Sequence, residues 1–309
     1  MPFLKSYARA IAWMAAYGVL WAASAALLFK PQPESFADAV SVFVVMGVIF
    51  PLLAWGLTLG RATPAVAVAR PRLELAAVLA FLAVYAVFFT GYGLNAFHAA
   101  FPVVTRTSAF VLMALKLAVH VAAPALLLAL LGARLRPLFA SRAPARAFWG
   151  ALVGLGGAAL AMMCVVSPSL SHIAALHVGP ATLVAALGGA FVWLAVEAGL
   201  CEEFLFRAVL QTRLAAVLKT EAGAACLAAL LFALAHVPGL WMRSGAEVAG
   251  HSSDLVQVIA YAIATLSPAG LFLGFVWART RSLLLVVLLH ALIDVLPNTP
   301  DFARLWLGA

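Results

Sequence analysis

The sequence is short of charge. Only 10% of its 309 residues are Asp, Glu, Lys or Arg, against about 25% in soluble domains. A fully solvated globular surface is therefore excluded. Cysteine is scarce too. Cys164, Cys201 and Cys226 stand far apart with no CxxC spacing, which leaves neither a disulfide framework nor a thiolate metal site. Period-2 alternation of apolar and polar residues is absent, and with it the mark of a membrane β-barrel. Internal repeats and low-complexity tracts are also missing.

Apolar sequence fills the space. The chain is 66% hydrophobic with a mean hydropathy of +1.11. Runs of 18 or more apolar residues recur along it, the length that carries a helix across a bilayer. The fold class is all-α, a polytopic membrane helix bundle of about nine spans. They read as roughly 8–29, 37–59, 74–97, 108–131, 147–167, 185–208, 222–241, 255–278 and a short 282–297. The first run is long enough to span and lacks a small-residue cleavage site, so it reads as a membrane helix rather than a signal peptide.

Basic residues choose a side. The N-terminus holds Lys5 and Arg9, and alternate loops then hold Arg61, Arg70 and Arg72; Arg134, Arg136, Arg142 and Arg146; Arg213 and Lys219; and Arg279 and Arg281. The intervening loops hold Lys30, Arg106, no basic residue between 168 and 184, and Arg243 offset by Glu247 and Asp254. The positive-inside rule places the N-terminus in the cytoplasm and the C-terminus outside. The net charge of +8 then reports cytoplasmic loops rather than nucleic acid. The Ala- and Arg-rich, Lys-poor composition suggests a bacterial source, and with it the cell (inner) membrane.

Ionisable residues at bilayer depth are costly and normally face a cavity or a partner. The second half of the chain has three groups of them: "EEFLFR" with Glu202, Glu203 and Arg207; "FALAH" with Phe232 and His236; and "HALID" with His290 and Asp294. Glu203 and Arg207 are i, i+4 and can pair, as can His290 and Asp294. Glu202 points about 100° away from Glu203. On α-helical rise Glu202 lies roughly 16 Å from Arg213, His236 about 21 Å from Ala222 and His290 about 14 Å from Arg281. Three helices thus bring ionisable groups to similar depths, where they can converge. In such a site a carboxylate can act as general base, a histidine can position the water it activates, and a further histidine with a hydrogen-bonding neighbour can stabilise an oxyanion. That set suits attack of water on a peptide carbonyl.

These three stretches fit EExxxR, FxxxH and HxxxN/D in order on successive membrane helices. Each is weak alone; together, at membrane depth, they are fairly specific. Over about residues 170–297 the chain resembles the CAAX protease and bacteriocin-processing (Abi) family of glutamate-type intramembrane proteases. The resemblance implies that Glu202 is the general base and His236 its partner on the water. It makes His290 and Asp294 the oxyanion-stabilising pair, with Glu203, Arg207 and Phe232 in support. Family members with Asn at the last position donate an amide there, whereas Asp294 either donates when protonated or orients His290. The implied substrate is a membrane-associated peptide or protein in the bilayer. On this reading residues 147–309 are the protease core, and 1–146 are a four-helix membrane region of unassigned role.

Other readings of the same residues remain open. They could form a proton or ion relay in a non-catalytic membrane protein with a transport or immunity role. No cofactor is called for, but zinc on Glu202, His236 and His290 is an alternative, although HExxH is absent. The serine-type GxSG and aspartate-type GxGD patterns are absent as well. Cys201 reads as a small packing residue. Lys116 and His120, i, i+4 in the fourth span, form a second polar stripe read as interhelical bonding. Glu197 is a residue of the cavity or its mouth, without an assigned role. His172, His177 and His251 fall in or near loops. The polar segment 242–254 reads as an external connector. Oligomeric state is left open by the sequence.

Overall fold

A computed structural model of the chain describes residues 2–58, 66–139, 143–242 and 250–309. Arg61, Arg142, Arg243 and Glu247, and most of the segment 242–254, lie outside the described residues. Among the described residues every regular element is helical. Among these described residues nine helices are long and apolar enough to cross a membrane: α1 (Tyr7–Leu28), α2 (Pro33–Leu57), α3 (Pro71–Ala100), α4 (Arg106–Leu130), α5 (Ala145–Val165), α6 (Pro180–Leu218), α7 (Glu221–Met242), α8 (Leu255–Thr280) and α9 (Leu283–Leu307). The protein is an all-helical, multi-pass membrane protein.

Local chemistry sets the helix ends. Proline opens α2, α3 and α6, where its missing N–H costs nothing. Thr105 and Ser108 form a reciprocal capping box at the start of α4, and Ser282 caps α9 by accepting from the Leu285 N–H. Lys219 and Arg281 adopt left-handed backbone conformations, φ 57° and 47°, and so turn the chain sharply between α6 and α7 and between α8 and α9.

Two spans run further than their hydropathy suggests. α6 continues to Leu218, so Arg213 is not a loop residue. It is buried in the helix, its Nε 3.1 Å from a Glu74 carboxylate oxygen on α3. α9 is not short either. It passes through Pro297 and Pro300, residues that normally break a helix interior. Side chains of Asn298 and Thr299 donate to the carbonyls of Asp294 and Val295 between the two prolines, while the carbonyls that the prolines leave without a helical N–H partner are those of Ile293 and Leu296.

The second half of the chain forms the core. α7, α8 and α9 bury more than half of their most apolar stretch, whereas α1 to α6 bury less than a third of theirs. α7 packs on α8, and α9 lies against α5 and the first half of α6. α6 is the exception within its length: every residue from Phe204 to Gln211 is buried. A helix segment covered on all sides sits at the centre of a bundle. The motif-bearing stretch is therefore the most enclosed part of the molecule.

Candidate active site

α6 brings the first two carboxylates. Its winding is not regular there: Cys201–Glu203 is α-helical between π-wound turns at Ala195–Leu200 and Phe204–Gln211. Such i→i+5 turns often occur at functional sites, because they re-aim side chains within one helix. Glu203 is fully buried, with one carboxylate oxygen 2.9 Å from Arg207 Nε. The Arg207 guanidinium in turn lies 5.3 Å from the centre of the Phe232 ring, a cation–π distance. Glu202 faces another way and keeps 16% of its side chain accessible.

α9 meets α6 closely because of glycine. A Cβ on Gly199 would stand 2.8 Å from the carbonyl oxygen of Val287, and a backbone atom cannot swing aside. This approach brings His290 against both glutamates. His290 Nδ1 donates to a Glu203 carboxylate oxygen at 2.8 Å. Nε2 lies 3.3 Å from Asp294 Oδ2 and 3.9 Å from Glu202 Oε2. The last distance is too long for a direct hydrogen bond but fits groups that share a bridging water. Gly199→Ala is expected to push α9 away from α6 and misplace His290. A displacement of about 1 Å can cost on the order of 10²-fold in rate, and full turnover by that variant would refute the role of this contact.

α7 contributes His236. Its Nδ1 bonds the carbonyl oxygen of Phe232 at 2.8 Å. A carbonyl only accepts, so Nδ1 carries a proton, and in the neutral form of the ring Nε2 is the acceptor edge. The ring packs edge-on to Phe232, centroids 4.8 Å apart. α3 is tied to α7 one residue earlier, where Thr90 donates to the Ala235 carbonyl at 2.9 Å. His236, like His290, lies within electrostatic reach of Glu202.

Four further polar residues complete the surroundings, and three come from the first four spans. Lys116 on α4 pairs with Glu197 on α6 at 2.6 Å. His120, one turn on, donates from Nδ1 to the Lys116 carbonyl at 2.9 Å. Its Nε2 accepts from the Tyr85 hydroxyl on α3 at 2.9 Å. Lys116, His120 and Tyr85 all lie within electrostatic reach of Glu202. The stripe on α4 thus makes interhelical bonds, and it does so at the edge of the Glu202 site rather than apart from it. Its i, i+4 spacing was visible in the sequence; nothing marked Tyr85. Cys201 is buried and packs with its thiol toward the Val196 carbonyl.

A cavity of about 710 Å³ opens beside this site, at the membrane face opposite Lys219 and Arg281. Trp193, Glu197, Asn298, Arg304 and Trp306 are among its lining residues. Among the described residues, Glu202, His236 and His290 included, no group of three His, Cys, Asp or Glu side chains is arranged to hold a metal ion.

The fold and the cluster together define a class: a multi-pass membrane protein with carboxylates and histidines from three core helices gathered inside the bundle. Residues 184–296 match the family described as type II CAAX prenyl endopeptidase Rce1-like. The match agrees with the resemblance carried by the three motifs, and the matched stretch contains all seven of the motif residues. The match supports a protease of the membrane. No curated protein and no solved structure matches the chain.

Proposed function

We propose that this protein is an intramembrane endopeptidase that hydrolyses a peptide bond in a membrane-associated peptide or protein of the cell (inner) membrane, using water activated by Glu202. One observation carries the reading: the first and third motifs, far apart in sequence, meet on His290, with Glu203 at 2.8 Å, Asp294 at 3.3 Å and Glu202 at 3.9 Å. Glu202 takes the proton from a water positioned by His236 Nε2. The water oxygen adds to the scissile carbonyl. The resulting oxyanion is stabilised by His290 as an imidazolium, whose Nδ1–H is held by Glu203 and whose Nε2–H, flanked by Asp294, donates to the oxyanion. Collapse breaks the C–N bond, and Glu202 returns the proton to the leaving amine. No covalent enzyme intermediate is needed.

The test is a comparison of membrane-proteome termini in cells carrying the wild-type protein or Glu202→Gln. New termini are expected with the wild type and lost with the variant. The same termini at the same abundance in both would sink the mechanism. The reaction as written uses no metal, so purified protein is expected to keep its activity after exhaustive chelation. Activity lost on chelation and restored by zinc would instead assign a metal to Glu202, His236 and His290.

A further inference from the structure

The end of α6 packs on the start of α3. Inside that contact Arg213 of α6 pairs with Glu74 of α3, and Glu74 also accepts from the Arg70 N–H at 2.9 Å. Beside it lies a cavity of about 530 Å³, lined by Arg70, Arg72 and Leu73 at the start of α3 and by Ala216, Val217 and Lys219 at the end of α6. The three cations are exposed, and among the described residues their side chains have no hydrogen-bond or ion-pair partner. Other cations at this end of the bundle are engaged: Arg213 with Glu74, Arg281 with Glu221, and Arg279 with the hydroxyl and carbonyl of Thr58. The cavity lining itself holds no carboxylate, and residues 59–70, which lead into it, contain no Asp or Glu. Three like charges around one hollow repel each other unless an anion lies among them.

We propose that this cavity binds the headgroup of an anionic phospholipid, with Arg70, Arg72 and Lys219 donating to its phosphate. Guanidinium and ammonium groups are suited to that anion. Glu74 already takes the Arg70 N–H, so the side chains carry the recognition rather than the open end of α3. The apolar wall favours a lipid over a soluble anion. Leu73 is exposed, and with Ala216 and Val217 it offers a surface for the glycerol and the first carbons of the acyl chains. The level fits too. Here two membrane helices enter and leave the bilayer, at the end that the basic residues place in the cytoplasm, and basic pockets between spans on that side suit anionic headgroups. A lipid held this way would join α3 to α6 from outside, as Glu74 and Arg213 join them from within.

The test is a thermal melt of the full-length protein in neutral detergent, titrated with phosphatidylglycerol in mixed micelles. Phosphatidylcholine and soluble glycerol 3-phosphate are the other two arms. Saturating phosphatidylglycerol is expected to raise the melting temperature by on the order of 5 °C, and the other two to leave it unchanged. The variant Arg70→Gln with Arg72→Gln and Lys219→Asn removes the three charges; asparagine suits the left-handed backbone at 219. It is expected to melt like the wild type in phosphatidylcholine and to need about 10²-fold more phosphatidylglycerol for the same rise, about fivefold for each cation. A control, Arg134→Gln with Arg136→Gln and Arg146→Gln, removes as much charge from the same side of the membrane and is expected to respond like the wild type. Equal weakening in both triple variants would reduce the effect to general surface charge and overturn the site, as would an unchanged titration in the first. An equal rise with phosphatidylcholine would overturn recognition of the charge, and an equal rise with glycerol 3-phosphate would overturn the lipid in favour of a soluble anion. If the first triple variant does not fold, Arg72→Gln alone is expected to weaken the response about fivefold, and an unchanged response there would overturn the proposal.

Discussion

Glu202→Gln is expected to lower kcat by roughly 10²- to 10⁴-fold, the range for loss of a positioned general base, with the melting temperature held within a few degrees. The amide keeps the size and one acceptor of the carboxylate but cannot take a proton from water. Stability is expected to hold because the structure does not use Glu202 as a strut. Among the described residues it makes no direct ion pair with an Arg or Lys, its nearest His290 nitrogen is 3.9 Å away, and part of its side chain is accessible. Glu203→Gln is the necessary contrast. Glu203 is fully buried against Arg207 and holds His290, so its loss is expected to lower stability and turnover together. Activity loss without stability loss at position 202, and both at 203, would separate the base from its support. Equal behaviour of the two variants in a thermal melt and a cleavage assay would show that the roles are not divided this way.

Much of this division was legible in the sequence. Apolar runs fixed nine spans, because burial in lipid demands helices of membrane length. The i, i+4 spacing of Glu203 and Arg207 predicted their pairing, and one helical step predicted that Glu202 would face elsewhere. Other features were hidden for physical reasons. Hydropathy cannot see a helix that runs through two prolines, so α9 read as short. Nor can it tell a loop arginine from one paired inside the bundle, as Arg213 is with Glu74. Regular geometry also fails where a helix is π-wound, as α6 is around Glu197 and again just after Glu203. The bond from His290 to Glu203 joins residues 87 positions apart, and no spacing rule reaches that far. The shared role of Glu203, neutralising Arg207 and orienting His290 at once, appears only when α6 and α9 are seen to touch at Gly199.

That double role yields the largest expected effect on stability. Arg207→Met would leave the Glu203 carboxylate with no accessible surface and without its guanidinium. Breaking a buried pair from one side typically costs about 3–5 kcal/mol, a large part of the 5–15 kcal/mol that holds a typical protein folded. The loss of the guanidinium over Phe232 adds to it. Arg207→Met is therefore expected to melt well below the wild type in detergent. Arg207→Met combined with Glu203→Gln removes both charges and is expected to recover most of that stability, since a buried pair replaced by neutral groups is often nearly neutral overall. Turnover is not expected to follow. A glutamine at 203 still accepts one hydrogen bond from His290 Nδ1, but without the charge that makes such a bond strong, so the Nε2 edge presented to the oxyanion is held less firmly. A double variant that melts like the wild type and cleaves slowly would show that Glu203 serves the chemistry as well as the fold. One that recovers both would reduce Glu203 to the counter-ion of Arg207.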